Sequence, residues 1–268
     1  MLRRRLPALL GLCALALTLL GCSGGSACDR AGDSAACTRV LFIGNSYTYV
    51  NDLPTMFATL AASGGHSVQT GMVAEGGATL ADHAASADTA TALSSKRWSF
   101  VVLQDQSQMP SVAASRQSEM YPAARQLVAM VRGAGAEPVF FLTWAHEDGW
   151  PEAGMPDYSS MQTAIDDGYL GIAQEQSAAV APVGYAWWTL LYQEPAAELW
   201  QDDGTHPTPE GTYLAACVFY ATIFGQSPAG LGYRAGLPHD EAETLQEVAA
   251  DVVLADPARW GLRRSSSP

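Results

Sequence analysis

The sequence predicts an α/β fold, a three-layer α/β/α sandwich built on a five-stranded parallel sheet. Two observations carry that expectation. Five short apolar runs, too short for helices and rich in β-branched residues, alternate with longer segments of helical spacing. The runs are also separated by whole helix lengths, whereas a hairpin-built sandwich would set its strands close together across tight turns. No internal repeat and no shift in composition splits the chain between them.

The N-terminus is set apart from this pattern. Arg3, Arg4 and Arg5 precede an apolar run from Leu6 to Leu20, so residues 1–21 read as a signal peptide rather than a fold element. The run ends in Leu19-Leu20-Gly21-Cys22, which resembles the bacterial lipobox. That resemblance implies acylation of Cys22 and an exported protein held by lipid on a bacterial membrane, at the periplasmic face or the cell surface. An ordinary secretory signal is the alternative. Each methylene an acyl chain buries contributes about 0.8 kcal/mol, so several chains would make a firm anchor. Residues 22–37 form a tether, small and polar from Ser23 to Ser34; residues 38–262 form the folded domain and residues 263–268 a tail. In an oxidising compartment Cys28 and Cys37 are expected to pair, and Cys217, in an apolar helical run, to be a buried thiol. The net charge of −13 makes nucleic acid an improbable partner and leaves membrane contact to the anchor.

Within the domain, Val40-Leu41-Phe42-Ile43 reads as a strand buried on both faces and ended by Gly44. Gly44-Asn45-Ser46 at its carboxyl end suits the presentation of one hydroxyl at the edge where open α/β sheets place ligands, making Ser46 a candidate nucleophile. A Ser that caps a turn is the plainer reading of the same residues. A helix over Asp52–Ala62 follows, with Pro54 in its first turn and Gly64-Gly65 as its stop. The second strand, Ser67–Val73, runs into Gly76-Gly77, where the missing Cβ atoms let backbone approach a ligand or simply turn. His83 follows closely enough to line a pocket there.

Trp98–Leu103 is the third strand and leads into Gln104-Asp105-Gln106-Ser107-Gln108. After a helix over Glu119–Arg132, the fourth strand Val139–Leu142 enters a loop carrying Trp144 and Trp150, aromatic rings suited to a sugar face or to covering the core. His146-Glu147-Asp148 lacks the spacing that converges ligands on one ion, so no metal and no cofactor is expected. A helix over Met161–Ala179 precedes a short fifth strand, Val180–Gly184, with Tyr185 to Trp188 packed beside it. Pro207 to Phe224 and Glu241 to Leu254 supply the closing helices.

Between those last elements stands Asp202-Asp203-Gly204-Thr205-His206-Pro207. A carboxylate three residues before a histidine on a turn reaches back to one imidazole nitrogen and leaves the other for Ser46. The Gly44-Asn45-Ser46 and Asp203-x-x-His206 blocks, in this order, resemble those of the SGNH hydrolases, the GDSL-type esterases and lipases. The resemblance implies the flavodoxin-like strand order 2-1-3-4-5. It implies a Ser46–His206–Asp203 triad and an oxyanion hole formed by the Ser46 and Gly77 backbone N–H groups. One block departs from the pattern: where the family carries Gly-x-Asn-Asp, Gln104 stands at the Gly and Gln106 at the Asn. Gln106 offers the same amide N–H on an arm one methylene longer, with Gln104 the second candidate. The expected activity is therefore ester hydrolysis, on an acetylated carbohydrate or another short-chain ester, with Gln104, Trp144 and His83 at the pocket wall. The alternative is a surface glycan-binding protein that keeps the fold without the chemistry.

Overall fold

The computed structural model describes Cys28 and residues 37–262. The signal peptide, Cys22, most of the tether and the tail lie outside the described residues. Five strands, β1 (Cys37–Gly44), β2 (Ser67–Ala74), β3 (Phe100–Leu103), β4 (Glu137–Phe141) and β5 (Ala179–Ala181), form one parallel sheet in the order β2-β1-β3-β4-β5. Cys28 is disulfide-bonded to Cys37 at the start of β1.

The period-2 alternation of the strands divides the core into two halves. Val40, Phe42, Val102, Val139 and Phe141 face one side, packed by α2 (Leu53–Ser63), α7 (Val183–Gln193), α8 (Pro209–Phe224) and α9 (His239–Leu254). Leu41, Ile43, Val101, Leu103 and Phe140 face the other, packed by α3 (Leu80–Ala85), α4 (Ala87–Ser95), α5 (Tyr121–Gly133) and α6 (Tyr158–Gln176). A four-residue helix, α1 (Ser46–Tyr49), opens directly from β1. The helix α8 is buried along almost its whole length, in keeping with its nearly unbroken apolar sequence. Among the described residues no helix is long and apolar enough to cross a membrane.

Three departures from the sequence expectations have local causes. The fifth strand ends at Ala181, not Gly184: Pro182 has no N–H to continue the ladder, and Gly184 packs so tightly under the Thr143 carbonyl that a Cβ there would clash. The residues Tyr185 to Trp188 therefore lie in a helix, with Trp187 buried and Trp188 half-buried. The helix expected to end at Ala179 stops at Gln176, because Ser177 turns into the left-handed region. Helices α3 and α4 escaped the hydrophobic pattern because they are short and Ala-rich; the signal for the first was a capping box, in which Thr79 and Asp82 satisfy each other's backbone N–H groups.

The order 2-1-3-4-5 places a switch point beside β1. The connection leaving β1 goes to one neighbour and the return crosses to the other, opening a crevice at the carboxyl ends of the strands. Ser46 stands at that crevice.

Candidate active site

Ser46 is the first residue of α1, and Asn45 is its N-cap. The Asn45 side chain accepts from the Tyr47 N–H at 3.1 Å and donates to the Ala78 carbonyl at 3.0 Å, tying the serine turn to the Gly76-Gly77 loop. Gly44 has no room for a Cβ, which would strike the Gln104 amide oxygen and the Thr48 hydroxyl. Gly77 is held at φ +73°, a conformation that favours glycine.

His206 reaches the serine from the far end of the chain. Its Nε2 lies 2.9 Å from Ser46 Oγ and its Nδ1 2.5 Å from Asp203 Oδ2. A carboxylate only accepts, so Nδ1 carries the hydrogen and Nε2 presents its lone pair to the Ser46 hydroxyl. Asp203 is largely exposed, yet its carboxyl is held well below the usual carboxylate range. Desolvation opposes that shift; the N–H groups of His206 and Thr205 and the imidazole outweigh it.

Neighbouring elements fix the loop that carries His206. Tyr47 stacks on Trp144 and Trp144 on Trp187, with ring centroids 4.5 Å and 4.2 Å apart, and the His206 ring meets Tyr47 edge-on at 5.8 Å. The Trp144 indole N–H donates to the Thr205 carbonyl at 2.9 Å. Asn51 donates to the Pro207 carbonyl and the Thr212 hydroxyl, both at 2.9 Å, from a backbone at φ 56° followed by Asp52 at φ 52°. Two consecutive non-glycine residues in the left-handed region store strain, and here that strain aims a side chain from the serine segment at the histidine segment. Nothing in the sequence marks Asn51 for this role, since positive φ in such a residue is decided by its surroundings.

The cavity in front of these groups measures about 300 Å³ and is lined by Asn45, Ser46, Tyr47, Gly77, Gln106, Ser107, Gln108, His146, Thr205 and His206. Four residues considered for its wall are elsewhere. Gln104 is fully buried beneath the serine turn: its amide oxygen accepts from the Asn45 N–H at 2.8 Å and the Thr48 hydroxyl at 2.9 Å, and its nitrogen donates to Asn45 Oδ1 at 2.9 Å and to the Asp105 carbonyl. With both amide ends engaged it cannot face a substrate. Trp144 is also fully buried, in the aromatic stack just described, and Trp150 does not line the cavity either. His83 is buried with Nε2 donating to the Gly44 carbonyl at 2.8 Å and Nδ1 3.3 Å from the Thr89 hydroxyl.

Residues with no sequence-level assignment take part instead. The buried carboxylate of Asp105 accepts the N–H groups of Leu80, at 3.0 Å, and Gln106, at 2.8 Å, so one side chain joins the Gly77 loop to the Gln106 loop. Burial pushes its pKa up to about 7; the two N–H groups work against that rise, and Asp82 and Glu119 add to it. Ser107 Oγ stands 3.1 Å from His146 Nε2 within the cavity wall. Its position one residue beyond Gln106 was the only sequence cue.

The fold is of the flavodoxin-like α/β class, a doubly wound parallel sheet, and it sets Ser46, His206 and Asp203 in a hydrogen-bonded series at the carboxyl edge. Comparison with solved structures narrows it. A protein from Slackia heliotrinireducens described as an SGNH hydrolase is 30% identical over 70% of this chain and 99% of its own length, with a TM-score of 0.60. The chain belongs to the SGNH hydrolase superfamily. It is also similar in fold to a DUF4886 family protein from Bacteroides uniformis, at 19% identity, 81% and 95% coverage and a TM-score of 0.69. An acetylxylan esterase from Geobacillus stearothermophilus is 16% identical, with 68% and 92% coverage and a TM-score of 0.53. No family model and no curated protein sequence matches the chain.

Proposed function

We propose that this protein is a serine ester hydrolase that removes short acyl groups, acetyl above all, from a hydroxyl-rich substrate such as a carbohydrate. The observation that carries this reading is the contact of Ser46 Oγ with His206 Nε2 at 2.9 Å, backed by Asp203 at 2.5 Å on Nδ1. In the proposed mechanism Ser46 attacks the ester carbonyl carbon as its proton passes to His206 Nε2. Asp203 stabilises the imidazolium that forms. The tetrahedral oxyanion is met by the backbone N–H groups of Ser46 and Gly77 and the side-chain amide of Gln106. Collapse returns the proton from His206 to the departing alkoxide and leaves acyl-Ser46. Water, deprotonated by His206, then releases the acid and restores the serine.

The small cavity favours a short acyl chain, and the polar groups on its wall, Gln106, Ser107, Gln108, His146 and Thr205, favour an alcohol bearing further hydroxyls. The acetylxylan esterase of the same fold agrees with that choice of substrate. Export and acylation at Cys22 belong to the same proposal, and mass spectrometry of the mature N-terminus tests them.

For the activity, Ser46→Ala is expected to lower turnover of an aryl acetate by about 10⁴-fold or more while leaving thermal unfolding unchanged. It should also abolish labelling by a fluorophosphonate. Full turnover in Ser46→Ala overturns the reading, and saturable glycan binding by an unlabelled, inactive wild type would replace it with that of a binding protein. In a chain-length series of aryl esters the acetate should be preferred; a preference for about eight carbons or more overturns the substrate assignment.

A further inference from the structure

Gln106 is a long side chain for an oxyanion donor. Its arm carries one more torsion than the asparagine that the family places there, and an untethered glutamine gives up rotamer entropy when it is held in one conformation. An amide that must find its position at each turnover loses the advantage of preorganisation. Something in this site has to hold it.

The hydrogen bonds around it define what does. The Gln108 N–H donates to Gln106 Oε1 at 2.8 Å, which decides which end of the amide is oxygen. Gln106 Nε2 then donates one hydrogen to Ser107 Oγ at 3.2 Å and keeps the other. Having accepted that bond, the Ser107 hydroxyl has its own hydrogen free for His146 Nε2, 3.1 Å away. His146 must be neutral and carry its proton on Nδ1 to receive it. Burial, and the neighbouring His206, lower its pKa and favour the neutral ring; Asp203 pulls the other way.

We propose that Ser107 and His146 are positioning residues: the series Gln106 Nε2–H to Ser107 O–H to His146 Nε2 locks the Gln106 amide with its second N–H available to the oxyanion of the acyl-transfer step. The proposal rests on the ester-hydrolase reading above. It explains how a glutamine serves where a shorter amide is usual, and why a second imidazole lines a cavity whose base is already supplied by His206. The hydrogen bond of His146 goes to Ser107 rather than to Ser46 or His206, so its action is through the amide.

The test is a kinetic cycle on the full-length enzyme with an aryl acetate, measuring kcat and KM for His146→Ala, Ser107→Ala, Ser107→Thr, Gln106→Ala and the double variant Gln106→Ala/His146→Ala. His146→Ala and Ser107→Ala are expected to lower kcat by about 10- to 100-fold, less than outright loss of an oxyanion donor, with KM within about twofold of wild type. Ser107→Thr, which keeps the hydroxyl, should recover most of the rate. The double variant should be no slower than Gln106→Ala alone, because the histidine has nothing left to position. Unchanged kcat in His146→Ala, or losses that multiply in the double variant, overturns the proposal. Should Ser107→Ala fail to fold, the threonine variant and the Gln106/His146 cycle decide the matter. An active Ser46→Ala would sink the ester-hydrolase reading itself, whereas an inactive Ser46→Ala beside a fully active His146→Ala sinks only the tether.

Discussion

Two histidines stand within two residues of each other's targets at the end of β1, and they do opposite things. His206 Nε2 accepts from the Ser46 hydroxyl at 2.9 Å, while His83 Nε2 donates to the Gly44 carbonyl at 2.8 Å. The side chain of His206 is 32% exposed, whereas His83 is 4% exposed. Behind His206 is the carboxylate of Asp203; behind His83 is the hydroxyl of Thr89. A carbonyl can only accept, so it commits His83 Nε2 to carrying hydrogen, and the remaining nitrogen, Nδ1, faces the Thr89 hydroxyl instead of Ser46. Asp203 commits His206 to the other tautomer and would favour the charge created by the proton transfer proposed above. In the proposed mechanism it is partner chemistry, rather than nearness to the serine, that separates the base from a structural donor. The carboxylates repeat the contrast: exposed Asp203 is held low by donated hydrogen bonds, and buried Asp105 is pushed up to about 7 by desolvation.

Substitution can break this comparison at its widest point first. His206→Ala is expected to lower kcat on an aryl acetate by about 10³- to 10⁴-fold or more, with the melting temperature nearly unchanged because the ring is partly exposed. His83→Ala should invert that pattern. Removing the donor leaves the Gly44 carbonyl without its side-chain partner in a buried setting and opens a void, which costs about 1–3 kcal/mol of stability. A fall in Tm of roughly 2–10 °C by calorimetry is the expected reading, with most of the turnover retained below the transition. A His83→Ala protein that is stable but inactive would show that the two imidazoles share the chemistry.

The smallest effect sharpens the comparison of the acids. Asp105 has its folded-state pKa raised to about 7, above an unfolded value of about 3.9. The folded state therefore binds more protons between those values, and stability falls as pH rises across that window. Asp105→Asn keeps an acceptor for the Leu80 and Gln106 N–H groups and removes the charge. The Tm of the variant should exceed that of the wild type by a few degrees at pH 8, with the gap narrowing as pH falls toward 4. An equal gap at all pH values would mean that the carboxyl does not titrate in this window.

Much of the molecule was legible before any coordinates. Val40 to Ile43 is a strand because four apolar residues, two of them β-branched, end at a glycine, and parallel pairing buries both faces of such a run. Asp203 and His206 meet because a spacing of three on a turn lets a carboxylate reach back to an imidazole. What pattern could not supply was the direction of side chains at the strand ends. Gln104 and Gln106 are two residues apart and chemically identical, yet one is spent beneath the serine turn and the other lines the cavity. Trp144, expected at the wall as an exposed ring, is instead the middle of a stack whose other members come from α1 and α7.

Local physics, in the form of apolar periodicity, glycine stops and short-range polar spacing, determined the strands, most of the long helices and the Asp203–His206 pairing from the sequence by itself. Only the tertiary structure decided which polar groups face the cavity and which cross-link its floor, because that depends on partners many residues away. Gly44 gives His83 a carbonyl, Gln104 finds Asn45, Pro207 meets Asn51, and His146 meets Ser107. A buried polar group must be satisfied by whatever the packed helices bring to it, and no stretch of sequence contains both halves of those bonds.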